Sequence, residues 1–332
     1  MGREHIKTAL LSAHQKRYEL SIIYSQPKGV ISMENRRRGL TLKQRNNLAG
    51  YSMISPMALG YLFFMITPVI VMFYLSMTSY TLLKPPKYIG LDNYIALFTN
   101  DPTFLDTAWN TVYFTLLFVP LNMLICLGLA LLMYKNFKGV GFFRTILFTP
   151  YVTSMVAWAI VWKYLFQTDN GLINAVMGWF GLEPINWLYN PKAAIPISVV
   201  VTLLKGLGMN TVIFISALMD VPQIYYEAAS LDGASGMNQF KNITLPMISQ
   251  SIFLALILTI IGCFKVFAQI YVMSKGGPAT SSYVFVYYIY VTAFRYFKFG
   301  YASAISTILF LIILFLTAIQ WIVRKKWVFY ET

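Results

Sequence analysis

The chain has 332 residues, 58% hydrophobic and 11% charged, with a mean hydropathy of +0.61. Soluble domains carry about 25% charged residues, so this balance excludes an ordinary soluble domain and points to a polytopic membrane protein. The formal charge of +14 would suggest nucleic acid in a soluble chain, but here it places lysine and arginine at cytoplasmic helix ends against anionic lipid, with no nucleic-acid partner.

Residues 1–48 read as an N-terminal cytoplasmic tail. No long apolar run and no signal peptide opens it, and charges scatter through it. Met33 begins a compact basic patch through Arg36, Arg37, Arg38, Lys43 and Arg45. Met33 as the natural start and an ordinary tail both fit. His5 and His14 are the only histidines and lie outside any span, so neither histidine catalysis nor a metal site is expected in the membrane.

A membrane core of about 30 Å needs roughly 20 apolar residues per helix. Six stretches qualify: 52–80, 108–134, 145–166, 194–219, 247–273 and 302–323. The expected fold is an all-α bundle of six transmembrane helices over 49–326. Lys135, Lys138 and Arg144 fall between the second and third spans, Lys241 between the fourth and fifth, and Arg324, Lys325 and Lys326 after the sixth. These segments alternate, so their side is cytoplasmic, with both termini inside. The loops bearing Asp92, Asp101, Asp169 and Glu183 fall outside. Trp179, Trp187 and Tyr189 suit the outer headgroup level. Residues 281–294 are apolar and aromatic but too short for a full span, and are expected at the outer interface or against the bundle. Cys126 and Cys263 sit in apolar runs and read as small core residues.

Between the fourth and fifth spans lies a polar island, residues 220–246. Asp220 followed by Pro222 reads as a helix start. Ile224, Ala228 and Leu231 share one face of that helix, with Glu227 beside it. Gly233 marks a bend, Ser235 can cap a second short helix, and Pro246 opens the next span. An amphipathic helix that only caps the bundle at the interface fits this pattern. So does a docking element, because Ala228, Ala229, Gly233 and Ala234 leave room for another protein.

Charges inside spans are costly and functional by default. Lys205 can face a solute path, pair across an interface or snorkel toward a headgroup, and Lys265 is nearer a span end. Asn210 and Gln269 suit either solute hydroxyls or hydrogen bonds between helices. Gly206 and Gly208 allow close helix contact or local unwinding. The candidate substrate path is Lys205, Asn210 and Gln269.

The island closely resembles the EAA loop of binding-protein-dependent ABC importers. It carries Glu227, Ala228, Ala229, Asp232, Gly233, Ala234, Phe240, Ile243, Leu245 and Pro246 at that family's offsets. The resemblance extends over roughly 50–325 and is to the sugar-permease branch, the maltose and glycerol-3-phosphate type. Gly90–Tyr94, Asn110, Thr111, Arg144, Pro150, Gly171–Asn174, Gly276–Pro278 and Phe299–Ala302 also match. Three places depart from the pattern: Gln250 where a second proline is frequent, Ala268 after Phe267, and Ser274-Lys275 before Gly276.

The resemblance implies a transport subunit, not an enzyme, that imports a sugar or oligosaccharide by alternating access. It implies a second permease, with a heterodimer expected, a cytoplasmic ATPase dimer holding ATP and Mg, and an extracytoplasmic solute-binding protein. Glu227, Ala228, Ala229, Asp232, Gly233, Leu245 and Pro246 would form the coupling contact. The chain lacks a G-x-x-x-x-G-K-[ST] loop, so it has no phosphate cradle and no cofactor of its own. The rival reading is an ion-gradient-driven secondary transporter. That would want acids or histidines within the spans, and none of the twelve acidic residues lies deep in one.

Overall fold

A computed structural model describes residues 41–135 and 137–329. His5, His14, Met33 and Arg36–Arg38 lie outside the described residues. All named elements among the described residues are helical. The chain divides into two compact units, Met1–Phe63 and Phe64–Thr332.

The described part of the first unit is α1 (Leu42–Tyr61). Thr41 and Gln44 build a reciprocal capping box: the Thr41 hydroxyl accepts from the Gln44 amide at 3.3 Å, and Gln44 Oε1 accepts from the Thr41 amide at 2.9 Å. This cap starts the helix at Leu42, so residues 42–48, expected in the tail, are helical. The first apolar stretch runs over Leu42–Ser76 rather than from 52.

The second unit begins with α2 (Thr67–Ser76), α3 (Asp92–Thr99) and α4 (Pro102–Met133). Next come α5 (Val140–Val152), α6 (Met155–Leu165), α7 (Leu172–Trp179) and α8 (Ala194–Met219). The island holds α9 (Gln223–Leu231), α10 (Gly236–Gln239), a π-turn Phe240–Thr244 and α11 (Leu245–Met247). The chain ends with α12 (Ser249–Phe264), α13 (Ala268–Met273), α14 (Phe285–Tyr290) and α15 (Phe299–Val323).

Among the described residues, five stretches are long and apolar enough to cross a membrane, and the bent pair α5 and α6 makes a sixth when taken as one span. The span expected at 145–166 is therefore not one helix. Its halves meet at 98° across Thr153 and Ser154, both extended. The fifth span breaks more gently at Lys265–Phe267, between α12 and α13. Residues 281–294 lie against the bundle: Phe285, Tyr287, Tyr288 and Val291 of this stretch are buried.

Phe114, Phe118, Cys126 and Ala130 of α4 share the main core with Val199, Leu203, Leu207 and Phe214 of α8. Cys126 and Cys263 are free thiols in that core. A second cluster gathers Leu97, Phe104, Phe264, Phe285 and Ile305, and polar residues staple loops at several places in the unit. Buried Asn93 donates to the Ser76 and Thr78 carbonyls at 2.8 and 2.9 Å. Asn174 donates to the Thr168 and Ile185 carbonyls, and its Oδ1 accepts from Trp187 Nε1 at 2.7 Å. Gln250, standing where a proline is frequent in the family, donates to the Phe329 carbonyl at 3.2 Å.

Candidate functional site

Two features stand out: a cavity between spans and the bend of the island. The cavity has a volume of 670 Å³. α4 supplies Phe118 and Asn122, α8 supplies Thr202, Lys205 and Asn210, and the broken fifth span supplies Lys265, Phe267 and Gln269. Tyr151 and Met155 border it from either side of the break between α5 and α6. Its lining contains two lysines and no carboxylate.

The candidate path residues Lys205, Asn210 and Gln269 thus converge on one cavity, and each is also tied to a neighbouring helix. Asn210 Nδ2 donates to Asn122 Oδ1 at 2.5 Å and to Thr259 Oγ1 at 3.0 Å. Gln269 is buried, and its Nε2 donates to Thr202 Oγ1 at 3.1 Å. The interhelical reading of both amides is therefore present in the geometry. Asn122 and Thr259 were missed at the sequence level, although an asparagine inside a charge-free span was a usable signal.

Lys205 neither snorkels nor meets an acid. Its Nζ donates to the main-chain carbonyls of Pro150 at 2.6 Å, Thr153 at 2.6 Å and Tyr151 at 3.1 Å. These carbonyls lie at the end of α5, where the extended Thr153 and Ser154 interrupt the helical ladder. Non-helical backbone at membrane depth persists only where such groups find partners, and the Pro150 carbonyl also accepts from the Thr153 amide at 3.2 Å and hydroxyl at 2.7 Å. A cation at a helix C-terminus also meets the negative end of the helix dipole. Gly208 brings the elements close enough: a Cβ there would stand 2.5 Å from the Leu147 carbonyl oxygen and 2.7 Å from Phe148 Cα. Gly206 has no such contact, its nearest neighbours being 3.8 Å away. On the other side of the break, Trp158 Nε1 of α6 donates to the Val201 carbonyl of α8 at 2.9 Å.

The island folds as a helix, a left-handed residue and a second helix. Asp220 is not the N-cap of α9, as expected, but caps the C-terminus of α8, its amide donating to Ser216. Pro222 takes the N-cap place of α9 instead, because its extended backbone already turns the chain. α9 ends in a Schellman motif. The Ala234 amide donates to the Ala229 carbonyl at 2.9 Å and the Gly233 amide to Ser230 at 3.1 Å, with Gly233 at φ +75°. Ser235 caps α10 as expected, its Oγ accepting from the Asn238 amide. Two further bonds fold the second helix back: Gln239 Nε2 to Ser230 Oγ at 2.9 Å, and Tyr226 Oη with Thr244 Oγ1 at 2.9 Å.

The apolar face of α9 points away from the protein. Leu231 is 91% and Ile224 67% exposed, and no residue of α9 is buried. Glu227, Ala228, Asp232 and Gly233 are exposed and Ala229 half-buried. Leu245 and Pro246, expected with them, are half-buried in α11, where the chain re-enters the bundle. The structure therefore brings Glu227–Gly233 together on one surface and leaves Leu245 and Pro246 behind it.

Residues 123–328 match the sequence model of the binding-protein-dependent transport system inner membrane component family. The chain belongs to this family. It is 36% identical over 293 residues to the probable ABC transporter permease protein YesP of Bacillus subtilis, covering 87% of this chain and 94% of that one. It is 34% identical over 284 residues to the trehalose/maltose transport system permease protein MalF of Thermococcus litoralis, covering 84% and 94%. Its fold is similar to a chain of a bacterial ABC transporter involved in the import of the acidic polysaccharide alginate, at TM-score 0.72 and 25% identity, covering 83% of this chain and 96% of that one. The permease is thus a multi-pass membrane transport subunit rather than an enzyme, and ATP hydrolysis belongs to a separate subunit. Family membership sets aside the ion-gradient-driven alternative.

Proposed function

We propose that this permease moves a saccharide, handed over by an extracytoplasmic binding protein, through the cavity bordered by Lys205, Asn210 and Gln269. It pairs with a second permease and docks a cytoplasmic ATPase dimer that binds ATP and Mg. Both termini and the island then face the cytoplasm, consistent with Lys135, Lys138, Lys241 and Arg324–Lys326 lying on one side. The MalF relative and the alginate transporter, whose names state their sugars, support a saccharide. Closure of the ATPase on ATP favours one orientation of the spans by differential binding.

The observation that carries the coupling role is the outward apolar face of α9 beside the bend. An interfacial cap would lay Ile224 and Leu231 into the lipid boundary, and a coupling helix would lay them into a partner protein. Small Ala228 and Gly233 beside that face allow the close approach of a protein surface and favour the partner. A Cβ at Gly233 meets nothing within 4 Å, but the φ of +75° disfavours any side chain there, so Gly233→Asp disturbs the bend as well as whatever docks on it, while leaving the packing of the spans untouched. In the reconstituted importer, this variant is expected to insert and pair normally. It should co-purify with about ten-fold less ATPase and lose uptake from a panel of neutral and acidic oligosaccharides. Normal ATPase retention would reduce the island to a cap. Failure of every saccharide to support uptake by the wild type would remove the sugar assignment alone.

A further inference from the structure

We propose that Lys205 is the positioning residue of a joint in the third span. Its ammonium holds α5 and α6 at their angle and so sets Tyr151 and Met155 in the wall of the cavity. The inference rests on reading that cavity as the solute site. Two facts carry it. First, the ammonium is spent on the backbone: Pro150, Tyr151 and Thr153 carbonyls take its donors at 2.6, 3.1 and 2.6 Å, and Thr153 Oγ1 lies at 3.4 Å. Second, the joint is anchored to α8 on both sides, by Lys205 before the break and by the Trp158–Val201 bond after it.

An ammonium offers three donors on a flexible stem, which matches three carbonyls converging on a point. The same chemistry argues against a solute contact, since no donor is left over. Lys265 in the same cavity is different, exposed at the end of α12. The joint lies near the middle of α8 and of the third span, where non-helical backbone is held by protein groups or lines a cavity. Its angle therefore depends on this side chain, and a movement of α8 is transmitted to the cavity wall through it.

The test uses the assembled importer in lipid nanodiscs and needs no solute, so it stands apart from the sugar assignment. In the wild type, acetic anhydride labelling read by mass spectrometry should modify Lys205 about ten-fold more slowly than Lys265. In Lys205→Met, amide exchange at residues 153–158 should rise by about ten-fold, and N-ethylmaleimide should reach Cys263, which borders the cavity, faster. Lys205→Arg keeps the charge but cannot bring three donors to one point, so it should not restore protection. Equal labelling of Lys205 and Lys265 overturns the proposal, and this arm holds even if the variants fail to assemble. Unchanged exchange in Lys205→Met overturns it as well. Raised exchange with unchanged Cys263 reactivity refutes the effect on the cavity wall.

Discussion

At the scale of single residues, the motif positions of this permease act mostly as staples. Gly300 shows the tightest case. A Cβ there would stand 2.0 Å from the Thr78 carbonyl oxygen, while the Gly300 amide donates to Tyr80 at 3.0 Å. The obstacle is backbone, which cannot swing aside as a long side chain does. Gly300→Ala is expected to cost at least about 2 kcal/mol, read as a lowered Tm of the solubilised permease. An unchanged Tm would mean that the 78–80 segment yields freely. Gly233 is the opposite case, a glycine required by its φ of +75° rather than by crowding. The sequence marks Gly233 as a bend and Gly300 only as part of a motif match, because a clash depends on a segment over two hundred residues away.

At the scale of elements, the third span carries most of the information. Its apolar run predicts one helix. The structure breaks it, because Thr153 and Ser154 are extended, and a lysine from another span donates to the carbonyls around the break. Gly208 makes this contact possible by letting α8 touch the backbone of α5. Gly208→Ala is therefore expected to push α5 away and destabilise the permease by about 1–3 kcal/mol. Lys205 should then become easier to label. A stable Gly208→Ala variant with Lys205 still protected would show that the close approach is not what brings the lysine to the joint. The island shows the converse. Its bend at Gly233 and its cap at Ser235 were legible because helix ends are set locally. The misplaced role of Asp220 arose because α8 continues to Met219 and claims that residue at its C-terminus.

At the scale of the whole molecule, Asp101 links distant parts of the chain. It caps α4, Oδ1 accepting from the Phe104 amide at 3.2 Å. Its Oδ2 accepts from the hydroxyl of Tyr288 in α14 and, at 2.8 Å, from that of Tyr301 in α15. Removing it strands two phenols and a helix start together. Asp101→Ala is expected to cost about 2–4 kcal/mol, more than Tyr301→Phe alone, since bonds to a charged acceptor are the strong ones. Thermal unfolding of both variants and their double mutant checks this. Additive losses would mean that the three helices are not coupled through the carboxylate.

The sequence by itself determined the membrane class, the places of most spans, the island with its bend, and the likeness to importer permeases. These depend on composition, on runs of apolar residues and on local helix-end chemistry, all of which are short-range. It also put Lys205, Asn210 and Gln269 forward together, since polar groups are conspicuous in an apolar run. Only the tertiary structure decided what they touch. Asn210 and Gln269 bridge helices, and Lys205 meets the interrupted backbone of another span 52 to 55 residues away in sequence. A hydrogen bond requires atoms within about 3 Å, and no pattern along one span reports which carbonyls of a neighbouring span come within that reach.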